Sequence, residues 1–109
     1  MAPNKAASPA IQPIADIDRL IHEPARLMIV AILYVVQSAD FLFLLRQTGL
    51  TKGNLSSHLG KLEAAGYVDV TKEFVSKVPR TLLRLTDEGR EAFETYRHSM
   101  MQVLEDLGA

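Results

Sequence analysis

The sequence predicts a mainly α-helical α+β domain: a three-helix core, a small β-hairpin and a long C-terminal helix. Three observations carry this expectation. Two short apolar helical runs flank a Gly-containing turn at Gly49–Leu50, the spacing of a helix-turn-helix. Two strand-like runs, Tyr67–Phe74 and Thr81–Leu85, follow with a basic connection that holds Ser76, Lys77 and Pro79. A last helical run places Phe93, Tyr96, Met100, Val103 and Leu107 at spacings of 3, 4, 3 and 4. A chain of 109 residues with 48% apolar content is long enough for one domain with a real core.

Each element follows from local signals. Residues 1–12, with Pro3, Pro9 and several small residues, read as a flexible N-terminal tail ahead of a domain over 13–109. Pro13 suits the first turn of a short helix carrying Ile14, Ile17, Leu20 and Ile21 on one face. Pro24 opens the next helix, which runs to about Val36 and is apolar nearly all round, so it needs cover on several sides. Its apolar run from Leu27 to Val36 is half of the about 20 residues that a membrane span needs. Ser38–Asp40 reads as a break, with Asp40 the N-cap of a helix from Phe41 to Thr48 that Gly49 ends. Thr51 caps the helix of residues 51–65, where Leu55, Leu59 and Leu62 form one apolar face and Gly66 fits the C′ position. The hairpin occupies 67–85. Thr86 caps the last helix, residues 87–107, whose first turn holds Asp87 and Glu88, where the macrodipole favours carboxylates.

Charge is uneven along the chain. The net charge is −1, but residues 46–84 carry seven Lys or Arg against three carboxylates, and residues 85–109 carry two against six. A basic centre beside an acidic end suits a polyanionic partner at the centre. The absence of cysteine excludes disulfides and thiolate zinc sites. No basic stretch precedes an apolar one at the N-terminus, so a cytoplasmic protein with no membrane contact is expected. Enzyme chemistry finds no support, because a Gly-rich phosphate loop and an HExxH pattern are both missing. Ser57 and His58 are adjacent on one helix and point in different directions, which rules out a nucleophile–base pair. Neither cofactor nor metal is expected: His58 has Lys61 and Leu62 one turn on, and His98 has only Glu94 and Gln102 as neighbours.

In order, these elements make a winged helix-turn-helix, with the hairpin as the wing. From about Leu20 to Met101 the chain resembles the MarR/ArsR-type transcription regulators, in particular their small single-domain group. The residues that carry the resemblance are His22-Glu23-Pro24-Ala25-Arg26-Leu27 at the first core helix and Leu50-Thr51-Lys52-Gly53-Asn54-Leu55-Ser56-Ser57-His58-Leu59 at the turn and recognition helix. Leu62-Glu63-Ala64-Ala65-Gly66-Tyr67-Val68, Pro79-Arg80-Thr81 and Leu85-Thr86-Asp87-Glu88-Gly89-Arg90 continue it through the wing. The resemblance implies a homodimer that binds double-stranded DNA and dimerises through its terminal helices. It is compatible with a small apolar effector bound between those helices and the core. The chain departs from the metal-sensing members in having no cysteine. Its wing lacks the Asp-x-Arg pattern of typical MarR members, so the wing contact rests on Lys77 and Arg80.

The candidate DNA face follows from helical geometry. With Leu55, Leu59 and Leu62 buried, Gly53, Asn54, Ser56, Ser57, Gly60 and Lys61 face out and His58 lies on the flank. Asn54 suits bidentate reading of adenine, while Ser57 and His58 suit single contacts to base edges. Thr51, Lys52 and Lys61 suit phosphate. The expected dimer interface comprises Ile14, Ile17 and Ile21 with Phe93, Tyr96, Met100, Val103 and Leu107. The function expected is a sequence-specific regulator, by default a repressor on a pseudo-palindromic site. The alternative is a winged-helix module that docks protein and does not select DNA sequence.

Overall fold

A carboxylate and a proline start the first long helix. Glu23 is extended, and its Oε1 accepts the Arg26 N–H at 2.8 Å, which satisfies a donor with no partner in the helix. Pro24 takes the first position, and α1 runs over Pro24–Val36. The computed structural model describes residues 12–108, so the expected tail lies outside them except for Gln12. The helices α2 (Phe41–Thr48), α3 (Lys52–Ala64) and α4 (Asp87–Gly108) and the strands β1 (Ser38–Asp40), β2 (Val68–Val75) and β3 (Val78–Leu85) complete the fold. This is the mainly α fold with a small hairpin that the sequence predicts. Among the described residues, no helix is long and apolar enough to cross a membrane.

Two segments differ from expectation. The helix expected after Pro13 is only a 3₁₀ turn, Gln12–Asp16. Asp18 ends it: its Oδ1 accepts the Leu20 and Ile21 N–H groups at 2.9 and 3.3 Å, a local alternative to helical bonding. Ile17 and Ile21 still reach the core. Ser38–Asp40, expected as a break, is a strand. It pairs antiparallel with β3 through Ser38↔Arg84, Ala39↔Leu83 and Asp40↔Leu82, so the sheet order is β1-β3-β2. Three residues carry no readable period, and this strand exists through its partner.

The hairpin turns more tightly than the sequence suggests. Val75 pairs with Val78, and both Ser76 and Lys77 have positive φ, as a two-residue type I′ turn requires. Pro79 therefore belongs to β3. Opposite Phe74 it occupies a non-hydrogen-bonded position, and β1 does not extend that far, so no ladder bond is forfeited.

The core gathers around α1, whose Ile29, Val30 and Leu33 are fully buried with Leu44, Leu55, Leu62 and Leu83. The wing and α4 are tied to the end of α3 at one point. Gly66, at φ +81°, turns the chain out of α3. Thr86 Oγ1 donates to the Gly66 carbonyl at 2.7 Å and accepts the Gly89 N–H at 2.9 Å, while the Thr86 N–H donates to the Tyr67 carbonyl at 3.0 Å. Tyr67 in turn donates its hydroxyl to Asp18 Oδ2 at 2.6 Å.

That last bond makes a pH prediction. The Asp18 hydrogen bond, helped by burial, pushes the Tyr67 hydroxyl up to about 12 from the usual 10. The folded state holds the proton more tightly, so this stabilisation is complete below pH 10 and is lost as pH rises through 12. Tyr67→Phe is expected to cost about 1.5 kcal/mol at pH 8, the lower end for a bond to a charged group because the site is half-exposed. Denaturant titrations of both proteins should show that gap closing between pH 10 and 12.

Candidate nucleic-acid interface

The start of α3 is fixed by Thr51, whose Oγ1 accepts the Asn54 N–H at 3.1 Å. Its inner face, Leu55, Leu59 and Leu62, is buried. Lys52, Gly53, Asn54, Ser56, Ser57, Gly60 and Lys61 are all exposed, as the helical geometry predicts. The outer surface is thus a stripe of short polar side chains with a cation at each end. A Cβ at Gly53 or Gly60 would meet nothing within 4 Å, so the fold does not require glycine at either position. Gly60→Ala is expected to stabilise the protein by about 1 kcal/mol, read as a higher melting temperature. If the stripe closes against a duplex, the same change should weaken DNA binding.

His58 does not belong to that stripe. Its Nδ1 accepts a hydrogen bond from Arg26 Nη1 at 3.2 Å and lies 3.9 Å from Glu23 Oε1, so the ring is turned to the start of α1. The Arg26 Nε donates to the Leu20 carbonyl at 2.6 Å. The backbone hydrogen bond from Arg26 holds the Glu23 carboxyl below its usual range. The ring, expected to meet a base edge, here fastens α3 to α1.

The wing divides its cations between its two faces and its tip. Along β2 and β3, Val70, Lys72, Thr81 and Leu83 line a groove of about 300 Å³ against Ser56, Leu59 and Gly60 of α3. Alternation puts Arg80 on the other face, where its Nε lies 3.5 Å from Asp40 Oδ2. Arg80, expected to contact DNA, pairs with the carboxylate that also caps α2 and stays exposed. Lys72 faces α3 across the groove and is absent from the residues expected to meet DNA. The period-two alternation from Val68 and Val70 is the sequence signal that places it there. Lys77 sits exposed at the turn.

The expected dimer residues divide. Ile17, Ile21, Phe93 and Tyr96 lie in the chain's own core, and Val103 is also buried. The Tyr96 hydroxyl bonds His22 Nδ1 at 2.7 Å, and the Phe93 ring packs on Tyr34 with centroids 4.9 Å apart. These five side chains face inward, because a 3-4 spacing marks an apolar face without saying whose surface covers it. Met100 is partly buried. Ile14 and Leu107 are exposed, as are Met101 and Leu104, which the 3-4 spacing skips. The cleft between the N-terminal turn and α4, about 730 Å³, is lined by carboxylates, among them Asp16, Asp87 and Glu91, and by apolar surface from Ile17, Ala92 and Tyr96.

A family model described as a winged helix DNA-binding domain matches residues 25–104. An uncharacterized protein of Methanocaldococcus jannaschii is 32% identical over 89 residues, 82% of this chain and 97% of its own length. The solved structure of a transcriptional regulator homologue from Pyrococcus horikoshii superposes with a TM-score of 0.85 at 30% identity, covering 91% of this chain and 100% of that one. A MarR-family transcriptional regulator from Silicibacter pomeroyi shares the fold, with a TM-score of 0.63 at 19% identity over 95% of this chain and 70% of its own.

Proposed function

Because the chain belongs to the winged helix DNA-binding domain family, we propose that it is a sequence-specific transcription regulator that grips duplex DNA as a homodimer. The observation that carries this reading is the outer face of α3, exposed, short-chained and cationic, with two glycines that the fold does not need. A helix of that profile fits a major groove about 12 Å wide. Asn54 and Ser57 take base edges, with Ser56 beside them. Thr51, Lys52 and Lys61 take phosphates, and Lys72 and Lys77 extend the grip along the flanking backbone. Repression, by occupying a promoter, is the proposed outcome.

The homodimer places two such helices about 34–36 Å apart, one DNA turn, and so reads a pseudo-palindrome. The exposed apolar residues Met101, Leu104 and Leu107 at the end of α4, with Ile14, support a self-complementary contact there. Leu104, 61% exposed, can be changed without disturbing the core. Leu104→Asp is expected to sediment as a monomer and to bind a two-half-site duplex far more weakly than the wild type. A Leu104→Asp protein that sediments and binds like the wild type rules out this dimer contact.

A further inference from the structure

The tip of the hairpin is more apolar than a solvated turn has reason to be. Phe74 is 74% exposed and Val78 62%, and Val75 and Pro79 beside them are exposed as well. The register pairs Phe74 with Pro79 and Val75 with Val78, so the four form a blunt ridge on both faces of the ribbon. They are not unburied core, because the buried part of the sheet ends well below, at Val68, Leu83 and Leu85. Cations frame the ridge. Lys77 stands at the turn and Lys72 is two residues before Phe74 on the same face, whereas Glu73 points to the other face, opposite Arg80. Lys77 also holds a positive φ of 69°, a conformation that favours glycine, so a long cation is kept where the backbone does not favour it.

We infer that Phe74 is an apolar wedge that enters the minor groove of the bound duplex, with Lys77 and Lys72 on the phosphates to either side. An apolar ridge between cations suits insertion between stacked bases, whose faces are apolar, with the two phosphate rails of the groove on either side. Partial insertion of such a side chain unstacks a base step and bends the duplex. Phe74 lies on the hairpin face that packs against α3, so one protomer engages a groove with α3 and the adjoining one with its tip. This inference rests on the DNA-binding reading above.

The test uses the full chain and a duplex that it binds, with end-labelled DNA reporting bend by energy transfer and affinity by titration across salt. Phe74→Ala is expected to remove most of the bend and weaken binding about a hundredfold, the scale of two aromatic–base stacks, one from each protomer. Its salt dependence should stay unchanged because Phe74 neutralises no phosphate. Lys77→Ala is expected to lower the salt slope instead. If Phe74→Ala binds and bends DNA as the wild type does, the wedge is overturned while the DNA-binding reading stands. If the wild type binds no duplex, both fall. If Phe74→Ala changes only the sedimentation of the free protein, the ridge is a protein-docking surface and the wedge is again overturned.

Discussion

Replacing Gly89 by alanine is expected to lower the unfolding free energy by about 3 kcal/mol, the largest effect of an added methyl at any glycine of the chain. Gly89 lies in the first turn of α4, where that helix crosses the start of the wing. A Cβ there would collide with the Tyr67 carbonyl oxygen and sit 2.9 Å from Leu85 Cδ1. The first neighbour is backbone and cannot rotate away. The same carbonyl accepts the Thr86 N–H, and Thr86 Oγ1 donates to the Gly66 carbonyl, so moving α4 outward would stretch both bonds. For a domain of this size the melting temperature should fall by about 15 °C. A fall under a few degrees in calorimetry would mean that the crossing is looser than described. Any surviving folded fraction should also bind DNA less well, because this crossing sets α4, and with it the proposed dimer contact, relative to α3.

Lys61→Ala is expected to weaken duplex binding about 60-fold at 0.1 M salt while leaving the preferred sequence unchanged. The size follows from counterion release. Each phosphate neutralised contributes about 0.9 to the slope of log K against log salt, and the substitution frees two phosphates per dimer, so the slope falls by about 1.8. From a 1 M reference, that slope becomes a loss of about 1.8 log units at 0.1 M. Lys61 is exposed in the last turn of α3, so its removal leaves the fold intact. Asn54→Ala gives the contrast: it removes a side chain that reads a base, so preference at one position relaxes while the salt slope holds. Titrations of the three proteins at several salt concentrations separate the two roles.

The parts of this fold that the sequence revealed are those with strong local causes. Asp40, Thr51 and Thr86 each cap the helix they precede, and Gly49 and Gly66 each end one. The leucines of α3 turn in as their spacing requires. What stayed hidden is set by partners distant in sequence. β1 is a strand only because β3 lies beside it. His58 sits on the flank of α3, and only the arrival of Arg26 from α1 decides which way it turns. Arg80 reads as a free wing cation until Asp40 is placed beside it. Tyr96 and Phe93 form a seam in sequence, but His22 and Tyr34 supply the opposing surface from within the same chain. The exposed apolar residues are also hidden: periodicity marks which residues share a face, whereas Leu104 and Phe74 stand out only once exposure is known.

Selection of bound sequences from a random duplex library, with the full chain at low salt, tests most directly whether the outer face of α3 reads DNA. The expected result is an enriched inverted repeat whose half-site centres lie about 10 base pairs apart, one turn of the helix. Recovery of the input library without enrichment, or no retention of duplex at all, would contradict it.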